Sequence, residues 1–80
     1  MITVDLTTIS GNIFCIAQAI QDELESKMSC KIDSSFYSYM DCPDYTHAIL
    51  YFLKFVNIKY KGKVYTYMQG KELADKIALN

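Results

Sequence analysis

Apolar residues at helical spacing over residues 13–24 constrain this chain more than any other feature in it. Ile13, Ile16, Ala17, Ile20 and Leu24 recur at i, i+3, i+4, i+7 and i+11, one stripe of an α-helical period. Gln18, Gln21, Asp22 and Glu25 fall on the other side. The spacing predicts a long helix, ending at about residue 27 or 28, whose apolar face the remaining chain must cover. Ser10 or Asn12 supplies an oxygen for the unpaired N–H groups of its first turn, and Gly11 permits a tight approach. Phe14 and Cys15 sit at the edge of the stripe. The Ser10-Gly11-Asn12 turn is also an anion site in outline, since helix N-termini attract negative charge. A single glycine lacks the repeated glycines of a phosphate-binding loop, so a capping turn is the simpler expectation.

Eighty residues make one domain, 1–80. A chain of this length buries only about two-thirds of its unfolded surface, so good packing or a partner has to supply stability. With 51% hydrophobic residues, seven tyrosines and four phenylalanines, the chain can build a core. No apolar run is long enough for a membrane span, and the first residues lack the basic segment of a secretory signal. Cys15, Cys30 and Cys42 are odd in number and unevenly spaced. They suit reduced thiols in a cytoplasm better than a disulfide framework.

Ile2–Leu6 alternates and is β-branched, which predicts a strand. Residues 32–40 suit a short helix carrying Phe36, Tyr37 and Met40, although their serines and aromatics also suit a strand. Asp41-Cys42-Pro43-Asp44 opens a second main helix, because proline is tolerated in a first turn and carboxylates favour that end of the dipole. Its stripe is Tyr45, Ala48, Ile49, Phe52 and Val56, yet Leu50, Tyr51, Leu53 and Phe55 fill the opposite side. A helix apolar all round is buried on several sides or covered by a partner, so a homodimer is one expectation, and the later part can also be a strand. Alternating runs flank Lys61-Gly62, which predicts a tight hairpin with Tyr60 opposite Lys63 and Ile58 opposite Tyr65. Ile58, Tyr60, Tyr65 and Tyr67 then share the packed face. Residues 71–79 close the chain with a short amphipathic helix. The fold class expected is α+β: a small antiparallel sheet, made of the N-terminal strand and the Lys61-Gly62 hairpin, packed on two main helices with short extra helices.

The net charge of −1 hides an asymmetry. Residues 1–45 carry a net −5 and residues 46–80 a net +4, and every basic residue is lysine. Lacking arginine, the chain is poorly equipped to read bases or phosphates bidentately. Lys59, Lys61 and Lys63 with Tyr60, Tyr65 and Tyr67 form a basic, aromatic hairpin that can stack single-stranded nucleic acid, or simply guard a sheet edge. Nucleic acid is not the favoured partner. His47 is the only histidine, and Cys42, five residues earlier, lies about 140° away on one helix, a poor angle for a nucleophile–base pair. No catalytic residue is assigned and no enzyme is expected. The three cysteines and His47 match no paired-ligand spacing, so neither a metal nor another cofactor is expected.

Gly11, Asn12, Phe14 and the later Asp44-Tyr45, behind a leading strand, resemble a pattern in short uncharacterised proteins of phages and prophages. The matching segments cover about half of the chain. The resemblance implies a viral accessory protein acting in the host cytoplasm by covering a host protein or defence complex. The function expected is thus non-enzymatic binding and inhibition of a host protein, such as an antiviral defence component. The acidic face of Asp22, Glu25, Asp33, Asp41 and Asp44 would meet a basic surface. Two alternatives are a small-molecule or nucleotide binder using Ser10–Asn12, and a single-stranded nucleic-acid binder using the 59–67 hairpin.

Overall fold

In a computed structural model, which describes residues 1–28 and 34–79, the long amphipathic stretch forms helix α1 (Ile13–Met28). Its stripe turns inward: Ile16, Ala17 and Ile20 are buried, and Ile13 and Leu24 pack beside them. Strand β1 (Thr3–Asp5) precedes it. Beyond α1 come a 3₁₀ helix (Ser34–Asp41), helix α2 (Tyr45–Phe52), strands β2 (Asn57–Tyr60) and β3 (Lys63–Tyr65), a 3₁₀ turn (Tyr67–Gln69) and helix α3 (Gly70–Ala78). The fold is α+β, with helices on one face of a three-stranded sheet. Val4, Ile58 and Tyr65 share the buried face, while Thr3, Asp5, Lys59 and Val64 are exposed on the other.

The sheet is mixed, which corrects the expected antiparallel arrangement. β1 pairs parallel to β2, with Val4 opposite Ile58, and only β2 and β3 are antiparallel. Alternation along Ile2–Leu6 specifies faces but not direction. Direction is set by the helical crossover, which returns the chain to the end where β1 began. The bonds Asn57 N–H to Ile2 O and Leu6 N–H to Lys59 O, both 2.9 Å, bracket the parallel pair.

The hairpin has the predicted register, Ile58 opposite Tyr65 and Tyr60 opposite Lys63. Lys61 and Gly62 both have positive φ, 50° and 85°, as a two-residue turn matching strand twist requires. Lysine is a poor occupant of that conformation, because its Cβ crowds the backbone, whereas asparagine adopts it readily. Lys61→Asn is therefore expected to stabilise the chain by about 1 kcal/mol, a rise in Tm of about 4–8 °C. The bond from Lys61 N–H to Thr7 Oγ1 (2.9 Å) survives the change, and thermal unfolding reads the difference.

Tyr67 was expected on the packed face but is exposed beyond the end of β3. There Thr66 N–H donates to Gln69 Oε1 (3.1 Å) and Gln69 N–H to Thr66 O (2.9 Å), and this reciprocal pair turns the chain into α3. Of residues 32–40, which suited either a short helix or a strand, 32 and 33 lie outside the described residues, and the rest belong to the helix Ser34–Asp41, wound with three residues per turn. That period aligns Phe36 and Tyr39, both buried. Phe36 stacks on Phe52 of α2 with centroids 5.9 Å apart, and Tyr39 meets Phe52 at 5.2 Å. α2 ends at Phe52, and tight turns carry buried Leu53 and Val56 into β2. α1, α3 and the first 3₁₀ helix surround α2. Of the residues on its opposite side, Leu53 is buried, while Leu50, Tyr51 and Phe55 are half-buried.

Candidate functional site

The start of α1, the end of the first 3₁₀ helix and the start of α2 enclose an apolar groove of about 470 Å³. Phe14, Met40, Cys42, Asp44 and Tyr45 are among its walls. Phe14 is 63% exposed and Met40 60%, unusual for large apolar side chains. Local chemistry holds the walls in place. Asn12 Oδ1 accepts from Phe14 N–H (2.8 Å), and Ser10 Oγ accepts from Asn12 N–H (3.2 Å), so the predicted cap fixes the first turn of α1. Tyr45 donates its hydroxyl to Gly11 O (2.6 Å) across 34 positions. Burial, with a smaller contribution from Tyr60, raises the Tyr45 phenol above its ordinary value, which keeps this donor protonated. Phe14 meets the Tyr39 ring edge-on at 6.2 Å.

Asp44 caps α2, accepting from His47 N–H at 2.8 Å, and the same oxygen lies 2.7 Å from His47 Nδ1. Pro43 precedes this cap instead of sitting in the first turn. Bonds from the His47 backbone and then its side chain hold the Asp44 carboxyl below its ordinary 3.8. A depressed folded pKa adds stability that is fully present above 3.8 and is lost as pH falls through the lower folded value. Asp44→Ala should therefore lower Tm at neutral pH, with the gap to the wild type closing only below pH 3.8. A gap that is the same at every pH would contradict this.

The remaining acids divide by position. Asp22 and Glu25 are exposed on α1. Lys27 pairs with Glu23 (3.0 Å), and among the described residues Asp22 accepts a neutral amide bond from Gln18 Nε2 at 2.8 Å. At about 100° and 1.5 Å per residue Glu25 lies about 20° from Phe14 around α1 but about 16 Å along it, and Asp22, which lines a different cleft, about 80° around and about 12 Å along. Asp41 is exposed beside Met40, and Asp44 lines the groove. Asp33 lies outside the described residues.

The hairpin does not offer the predicted stacking surface. Tyr60 and Tyr65 are buried in the core, leaving only Tyr67 exposed. Lys63 bonds Glu72 of α3 (2.6 Å) and lies 5.0 Å from the Tyr65 ring centroid. That bond raises the Lys63 pKa and lowers that of Glu72. Lys61 sits over the Tyr60 ring at 5.5 Å, and Lys59 is on the opposite face, in register with Asp5. Ser10, Gly11, Tyr60 and Lys61 border a polar cleft of about 360 Å³. The acceptor oxygens of Ser10 and Asn12 already face the first N–H groups of α1, where an anion would have to sit.

Cys42 donates weakly to Ser38 O (4.0 Å) and Cys15 is exposed, while Cys30 lies outside the described residues. Among the described residues no three of His, Cys, Asp and Glu gather as metal ligands. No helix among them is long and apolar enough to cross a membrane. No family model, curated protein or solved structure matches this chain. The groove escaped sequence reasoning because its two exposed walls, Phe14 and Met40, are far apart in the chain. The available signal was Phe14 at the rim of the α1 stripe.

Proposed function

We propose that this chain is a non-enzymatic, phage-type accessory protein that binds a host protein in the cytoplasm, a component of an antiviral system, and inhibits it by covering its surface. The observation that carries this is the exposed Phe14–Met40 groove with Asp44 in its wall, Asp41 next to Met40 in the chain, and no lysine among its lining residues. Aromatic and methionine side chains are frequent anchors at protein interfaces. Asp41, Asp44, Glu25 and Asp22 supply negative charge that steers a basic surface of the target into register, in the way nucleic acid would. The residues that resemble the phage proteins support the same place. Phe14, Asp44 and Tyr45 line this groove, while Asn12 caps the turn that carries Phe14 and Gly11 accepts the Tyr45 hydroxyl.

The test is phage plating on a host that carries a defence system, with the chain expressed. Wild type should restore plating. Phe14→Ser and the pair Asp22→Lys with Glu25→Lys should each abolish the rescue while circular dichroism and Tm stay near wild type, since all three side chains are exposed. Full rescue by these folded variants would remove the groove and the acids from the mechanism.

A further inference from the structure

The groove has a neighbour, also largely apolar, that carries a lysine. A second cleft, about 170 Å³, is lined by Pro43, His47, Tyr51, Lys54 and Tyr67, and Cys42 belongs to both clefts. Tyr67 in its wall is 45% exposed and the next residue, Met68, 90%, so an apolar knob adjoins the cleft that holds Lys54. One face of the molecule thus runs from an apolar groove with Asp41 and Asp44, through Cys42 and Pro43, to a knob with Lys54. Pairing about a two-fold axis near Cys42 and Pro43 would bring each knob to the other copy's groove and each Lys54 to the other copy's acids. An apolar knob and groove and opposite charges on one face are the pairings that an isologous dimer requires.

We infer that, away from its host target, this face is covered by a second copy of the chain. The dimer is closed and two-fold, with Cys42 of each copy close to the axis. Self-association and target binding use the same groove, so the dimer must open before inhibition.

Sedimentation equilibrium should give twice the 9.2 kDa of one chain. In a Cys15→Ser, Cys30→Ser variant, a short bismaleimide should link Cys42 to Cys42. Met68→Glu lies outside the groove and should shift the chain to monomer. Asp41→Lys and Lys54→Glu should each weaken dimerisation by about tenfold, and the double variant should recover most of the loss. Monomer at all concentrations would overturn the inference. A dimer that neither crosslinks at Cys42 nor responds to Met68→Glu and the charge exchange would overturn this face. Host inhibition is read separately by plating, and Met68→Glu should retain it.

Discussion

Phe52→Ala is expected to remove about 3–5 kcal/mol of stability, the usual cost of emptying a fully buried phenylalanine site. Phe52 has no exposed surface and lies where α2 meets the first 3₁₀ helix, against both Phe36 and Tyr39. Those partners cannot collapse freely into the void. Phe36 is also held by Phe55 at 5.3 Å, and the Tyr51 hydroxyl ties the 3₁₀ segment to α2 through Ser35 O (2.5 Å). At about 0.05–0.15 kcal/mol per residue, a domain of this length has about 4–12 kcal/mol in total. The variant should therefore be largely unfolded or have its urea midpoint cut by about half. Phe55→Ala, at the half-buried edge of the cluster, should cost less. A loss below about 1 kcal/mol for Phe52→Ala would mean that this cluster is not what holds α2.

Gly70→Ala tests the closest approach between α2 and α3. Alanine would favour the helix by up to about 1 kcal/mol if α3 stood alone. In the fold its Cβ would lie 2.3 Å from Leu50 Cδ2, 2.9 Å from Leu50 Cγ and 3.3 Å from Leu53 Cδ1. Leu50 is half-buried and can swing its methyl groups, but Cγ has little room and Leu53 is buried. Overpacking of this kind costs about 1–3 kcal/mol, which outweighs the propensity gain. Tm should drop by several degrees. Adding Leu50→Ala should relieve the overlap, so the two changes together should cost less than their sum. A Tm raised by Gly70→Ala alone would show that α2 and α3 do not approach so closely.

Local signals in the sequence were informative where one element decides its own geometry. The stripe from Ile13 to Leu24 defined α1 and its buried face, and Lys61-Gly62 defined the turn and register of the hairpin. Direction of β1 was not legible, because alternating side chains look alike in parallel and antiparallel pairs. The end of β3 was legible in principle. Thr66 and Gln69 have the spacing of a capping box, a stronger signal than the alternation that placed Tyr67 in the strand. Exposure of Asp22, Glu25 and Asp44 followed from their types and positions. The groove did not, since Phe14 and Met40 meet only after α1, the 3₁₀ helix and α2 pack together. Tyr60 and Tyr65 lie on the packed face that the hairpin register predicts, as alternation with lysine requires for a sheet with one packed face, and are therefore not available as a stacking surface.

Titration of an inhibited host target with purified chain tests the occlusion mechanism most directly. A protein that works by covering a surface is consumed one for one. Target activity should fall linearly with added chain to a sharp end point at one binding face per target site, and Phe14→Ser should leave the target active. Complete inactivation at a small fraction of one chain per target, growing with incubation time, would mean turnover and would contradict a non-enzymatic inhibitor.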